Sequence, residues 1–328
     1  MKSTYCITEG FESALKICAG KVSSVRSELM GVAILFVILY HLYCWVPGTP
    51  LLRIFKWGFI GVDVFMFVSA FGLCFSYERN PLRVFYTNRA KRILPLLIVN
   101  SLMIAILKIH NGNDIWPAVK FFALNSTTLN YYLPGANHGA WFIPAIALLY
   151  LLFPALSKGI VISKGCGVLM ASAICLLLSW KVSPIIGWEY DCLMARVPIF
   201  LLGILAFRLV QKKANITGAG ILSWAGIWGI SLSYSQSSFF VATMFCPVFM
   251  LLTSLIFESS MCSKFFRWAG CHSLELFFGH SLGRAMVHTS FGIDDKSGFG
   301  SLVIMVLAMI IGCIINLMAS KLIYKYLK

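Results

Sequence analysis

Glu28-Leu29-Met30-Gly31-Val32-Ala33-Ile34-Leu35-Phe36-Val37-Ile38-Leu39-Tyr40-His41 is apolar on every azimuth of a helix, with one titratable imidazole near its far end. A helix apolar all round is either buried in a large core or faces lipid. Nine further apolar segments settle which, at roughly 58 to 77, 92 to 109, 140 to 157, 166 to 180, 192 to 210, 216 to 232, 238 to 257, 273 to 291 and 299 to 320. With 59% hydrophobic and 12% charged residues and a mean hydropathy of +0.84 over 328 residues, the chain is too apolar for a soluble globule. About 20 apolar helical residues cross a bilayer, and the alternating polarity of a barrel strand is absent. The expected fold is therefore all-α, a polytopic transmembrane bundle of about ten spans. Residues 1 to 25 lack an apolar signal core and read as a cytoplasmic leader, with 26 to 328 as one transmembrane domain.

The formal charge of +15 is spread in short clusters between apolar runs, which fits topology and lipid headgroups and excludes a nucleic-acid face. With the N-terminus inside, nineteen Lys and Arg fall on inner segments and six on outer ones, so both termini are expected in the cytoplasm. Eleven cysteines form no C-x-x-C pair and no zinc spacing, and no metal site is expected. The longest connection, His110 to Gly139, lies on the outer side and is expected to hold a short interfacial or re-entrant helix.

Ionisable side chains within spans cost about 2.5 to 3.5 kcal/mol each on insertion scales, so each needs a partner, a wet cavity or a function. Here they are His41, Asp63, Arg196, Glu275, His280, Arg284 and His288. At about 1.5 Å per residue, His41 and Asp63 both lie roughly 8 Å below the outer surface, on helices joined by a short loop. A carboxylate against imidazole fixes its tautomer and raises its basicity, as in a general base; the alternative is that the two only satisfy each other. Arg196 enters near the same level. His280, Arg284 and His288 recur every four residues on one stripe, which points to a wet cavity, with His288 near the interface. On the cytoplasmic edge Arg79, Arg83, Arg89, Lys91 and Arg92 follow the helix break at Asn80-Pro81. Topogenic charge accounts for most of them, while Arg89 and Arg92, three apart at an expected helix start, suit a grip on phosphate.

These residues resemble the membrane-bound acyltransferase-3 family. The first helix ending in Tyr40-His41 resembles that family's histidine-bearing helix. Gly61-Val62-Asp63-Val64-Phe65-Met66-Phe67-Val68-Ser69-Ala70-Phe71 resembles its GVD-x-FF-x-x-SGF signature, and Phe85-Tyr86-Thr87-Asn88-Arg89-Ala90-Lys91-Arg92-Ile93-Leu94-Pro95 its F-Y-x-x-R-x-x-R-I-x-P segment. Trp141, Tyr150 and Pro154 keep the spacing of its W-x8-Y-x3-P helix. Two later blocks, starting at Arg196 and at Gly270, also resemble it. Three positions depart: Met30 stands where the family has arginine, Ile146 where a glutamate is common, and Ala70 for the glycine of SGF. Arg26, one turn before Met30 at a similar azimuth, is the expected substitute.

The resemblance implies an acyltransferase that uses acyl-CoA, most simply acetyl-CoA, as donor substrate with no resident cofactor. The acceptor would be a hydroxyl of an extracytoplasmic or lipid-linked glycan, and the setting a bacterial cytoplasmic membrane. It implies His41 and Asp63 as catalytic residues and Arg89, Arg92 and Arg26 at the donor. It implies Ser69, Trp141, Tyr150, Arg196, Glu275, His280 and Arg284 along the cavity. A multi-span transporter or a non-catalytic partner in polysaccharide assembly is the alternative reading of the same composition.

Overall fold

The computed structural model describes residues 17, 20–43, 50–133, 141–163, 166–186, 188–211, 263–291 and 299–326, with isolated positions between 246 and 257. Every element among them is helical: α1 (Arg26–Tyr43), a 3-10 segment (Pro50–Phe59), α2 (Ile60–Arg79), α3 (Leu82–His110), α4 (Ile115–Ser126), a 3-10 turn (Leu129–Tyr131), α5 (Phe142–Ile162), α6 (Cys166–Ile186), α7 (Trp188–Val210), α8 (Ser263–Cys271), α9 (Ser273–Phe291) and α10 (Phe299–Tyr326). Five helices among the described residues are long and apolar enough to cross a membrane, running over Arg26–Tyr43, Phe55–Arg79, Leu82–His110, Phe142–Ile162 and Leu302–Tyr326. The expected span at 216 to 232 lies outside the described residues, and that at 238 to 257 largely does.

Two boundaries follow directly from the residues. Asn80-Pro81 separates α2 from α3, because proline has no N–H to continue the ladder and disfavours helix in the residue before it. Asn80 Nδ2 donates back to Ser76 O at 2.8 Å, using the last turn's carbonyl. The connection after α3 holds α4, a twelve-residue helix that buries Ala118 and ties Asn125 Nδ2 to Ser101 Oγ of α3 at 2.8 Å. Its Ile115 and Trp116 are 61% and 78% exposed.

The chain divides into two compact units, and the division falls inside α1, α2, α5 and α8. The first comprises Met1–Met30, Val62–Pro81 and Ala145–Arg267. Within it α6 packs along α7, and α2 meets α7 at Gly203, where a Cβ would lie 3.0 Å from the Ala70 Cβ and collide with the Phe67 carbonyl. Phe207 of α7 closes this contact, edge-to-face with Phe71 and Phe75 of α2 at 5.3 and 4.7 Å.

The second unit comprises Gly31–Gly61, Leu82–Pro144 and Trp268–Lys328. Its tightest packing is α9 on α10. A Cβ at Gly283 would lie 2.5 Å from Met309 Cα, one at Gly279 would strike the Cys313 backbone, and Gly312 faces Gly279 in turn. Small residues four apart let two backbones approach where lipid supplies no hydrophobic drive between helices. This crossing fixes the azimuth of α9. The residues immediately after its glycines, His280 and Arg284, are thereby held beside the α10 contact and in one row. Val287, Met305, Ala308 and Met309 form an apolar cluster between the same two helices, with Ile38 and Leu42 of α1 packed on it.

Candidate active site

The second unit gathers His41, His280 and Arg284. The rings of His41 and His280 lie 4.9 Å apart, tilted by 37°, and Phe277 edges onto His280 at 5.2 Å. His41 Nδ1 is 2.8 Å from Val37 O, one turn back, and His280 Nδ1 is 3.4 Å from Leu276 O. A carbonyl only accepts, so Nδ1 of His41 carries the proton and its Nε2 keeps the lone pair. Arg284, one turn beyond His280, is within coulombic range of both rings. His280 is the eighth residue of the nineteen-residue α9, so the pair sits level with the middle of that helix. His41 itself is the sixteenth residue of the eighteen-residue α1, so the contact joins the end of α1 to the middle of α9.

A second feature of the same unit is a cavity of about 480 Å³ lined by Asn88, Arg89, Lys91 and Arg92 of α3, Cys271 of α8, Leu274 and Glu275 of α9, and Tyr324 of α10. Arg89 and Arg92 share its wall, as their spacing of three predicts. Their place in the helix differs from expectation. They lie in the second and third turns of α3, not at its start, so no free N-terminal amides assist them and the grip on an anion rests on the side chains. Hydropathy marks where the apolar part of the helix begins, whereas the helix itself starts at the Pro81 break.

Pro95 shapes this wall. Its missing N–H leaves the Lys91 carbonyl without its helical donor. One residue on, the Arg92 carbonyl accepts the Tyr324 hydroxyl at 2.9 Å, which ties α10 to α3 at the cavity. Glu275 is 8% exposed and its Oε1 accepts Ser320 Oγ at 2.7 Å. Among the described residues, Lys91, Arg92 and Arg284 have no carboxylate partner.

The first unit holds its charges differently. Asp63 and Arg196, both with wholly buried side chains, form an ion pair at 3.5 Å, and Arg196 Nη1 donates to Cys192 O at 3.0 Å. Glu78 takes Arg208 Nη1 at 2.7 Å, whose Nη2 donates to Ser157 Oγ at 2.9 Å. Glu28, 3% exposed, accepts Nε and Nη2 of Arg267 at 2.8 and 2.6 Å and Ser263 Oγ at 3.1 Å. Arg26 lays its guanidinium over Gly72 of α2, where a Cβ would lie 2.7 Å from Arg26 Cζ. Ser69 and Tyr150 are half-buried members of α2 and α5 in this unit, while Trp141, at the foot of α5, belongs to the second.

Sequence reasoning named Asp63 and Arg196 separately and missed that they pair; it also missed Tyr324, Lys91 and Asn88 as cavity residues. Tyr324 sits in the basic tail Lys321-Leu322-Ile323-Tyr324-Lys325, which reads as topogenic charge. Among the described residues no group of three His, Cys, Asp or Glu side chains could hold a metal ion.

The family model described as an acyltransferase domain matches residues 29–318. The chain therefore belongs to the acyltransferase-3 family and is a membrane acyltransferase. No curated protein and no solved structure matches it.

Proposed function

We propose, from that membership, that the protein transfers an acyl group, acetyl in the simplest case, from a cytoplasmic acyl-CoA to a hydroxyl of an extracytoplasmic or lipid-linked glycan, in a bacterial inner membrane. The observation that carries this reading is the layout of α9. Glu275 lines the basic cavity, and His280, which meets the His41 ring, follows five residues later, about 7.5 Å along the helix axis. A donor with phosphates on Arg89, Lys91 and Arg92 and a long thioester arm fits a cavity and an imidazole pair arranged in series along one helix.

The chemistry follows from the tautomer. With Nδ1–H given to Val37 O, His41 Nε2 takes the proton of the acceptor hydroxyl as its oxygen attacks the thioester carbonyl. The C–S bond then breaks, and the leaving thiolate recovers the proton from Nε2. The same lone pair also serves a route in which Nε2 carries the acyl group between donor and acceptor. Arg284 supplies positive charge beside the negative oxygen or sulfur that forms. Asp63 with Arg196 holds a rigid polar centre on α2 and α7, and Ser69, Tyr150 and Trp141 keep the acceptor-side roles that family membership implies. Arg26 takes the place of the arginine absent at Met30.

Purified protein in liposomes, given acetyl-labelled CoA and bacterial glycolipid extract, is expected to label a glycolipid. His41→Ala is expected to lower the rate at least 100-fold, the usual scale for a lost general base. Equal transfer by the variant would remove His41 from the mechanism.

A further inference from the structure

Glu275 is the one feature of the basic cavity that a bare phosphate grip does not explain. Three cations line the wall with it, and a carboxylate among them weakens attraction for any purely anionic ligand. Nor is it neutralised by them: its hydrogen bond is to the Ser320 hydroxyl, which fixes Oε1 and leaves Oε2 as an acceptor. An oriented acceptor beside Lys91 and Arg92, which have no carboxylate partner among the described residues, selects a ligand that carries phosphate at one end and an N–H donor at the other.

We propose that Glu275 is a specificity residue of the donor site, accepting a hydrogen bond from the exocyclic amine of an adenine nucleotide whose phosphates rest on Arg89, Lys91 and Arg92. This deepens the proposed function and rests on it. A ribose hydroxyl next to the phosphate is the poorer partner, because it would draw two negative groups together; the amine lies across the purine from the phosphates. A zwitterionic lipid headgroup offers the same phosphate and N–H chemistry, and the choice of lipid in the test below separates it from a nucleotide. The cavity volume is within the range of small-molecule sites, about 300 to 1,000 Å³.

The test is equilibrium binding to the full-length protein in nanodiscs, with three probes: adenosine 3′,5′-bisphosphate, its purine analogue lacking the 6-amino group, and inorganic pyrophosphate. The unaltered protein is expected to prefer the adenine ligand over the purine one by roughly tenfold or more, the scale of one hydrogen bond to a charged group. In Glu275→Leu that preference is expected to fall to about one while pyrophosphate binds as well or better. Equal binding of adenine and purine ligands by the unaltered protein, a measurement that needs no variant to fold, would overturn the assignment and leave the acyl-CoA reading standing. Failure of both nucleotides to bind would overturn the assignment and that reading together. Loss of nucleotide binding in phosphatidylethanolamine nanodiscs, but not in phosphatidylglycerol ones, would give the cavity to a lipid headgroup and overturn it too.

Discussion

Charge is handled in opposite ways by the two units. In the first, Asp63, Glu78 and Glu28 each meet an arginine, and the Asp63–Arg196 pair is wholly buried. In the second, Lys91 and Arg92 face a cavity and Arg284 stands beside two imidazoles, without carboxylate partners among the described residues. A buried ion pair organises the helices that carry it. Cations left open keep their attraction for something that arrives, and an imidazole with its Nδ1 tied down keeps its Nε2 for chemistry. Both sets of residues look alike in sequence, as ionisable groups at odds with an apolar chain, yet they perform different tasks.

The strongest way to break this contrast is to unpair the first unit. Arg196→Met leaves Asp63 buried without its partner and is expected to cost about 3–5 kcal/mol, seen as a large drop in folded yield and in thermal midpoint in detergent. Asp63→Leu combined with Arg196→Met is expected to recover most of that stability. If the recovered double variant also transfers acyl groups at the normal rate, the pair is framework alone; if it folds and is inactive, Asp63 also serves the reaction, as its place in the GVD segment implies.

A smaller effect is expected from Arg92→Ala in the second unit. Losing one charge-assisted contact to phosphate should raise KM for acyl-CoA by roughly ten- to a hundredfold with little change in kcat or melting temperature. A stability loss without a KM change would make Arg92 a structural residue like Arg208. The smallest effect tests Arg26. Gly72→Ala must push the guanidinium aside, but the end of a long side chain yields cheaply, so stability should shift by less than about 1 kcal/mol. A several-fold rise in KM would then place Arg26 at the donor, whereas unchanged kinetics would return it to topogenic charge.

Much of the framework was legible because it depends on local rules. The Asn80-Pro81 break, the short helix at Ile115–Ser126 and the shared face of Arg89 and Arg92 all follow from backbone chemistry or helical spacing. His41 drew attention in the same way, since an imidazole in an apolar run has to be explained. What stayed hidden depends on which helices cross. The Gly279/Gly283/Gly312 contact sets how α9 is turned, and so decides that His280 meets His41; nothing local encodes that partner. Tyr324 and Asp63 belong to this class as well: one reads as tail and the other as a base's companion until the partner is seen.

The contrast between the units rests on the open cavity being the donor's seat, and Cys271 reports on it directly, since this free, exposed thiol lines the cavity. Alkylation of the protein in liposomes, followed by mass spectrometry of the peptide that contains Cys271, measures whether the cavity fills. Saturating acetyl-CoA is expected to slow modification of Cys271 at least tenfold while leaving Cys166, an exposed thiol of the first unit, unchanged. Unaltered Cys271 modification under conditions where acyl transfer proceeds would contradict the assignment.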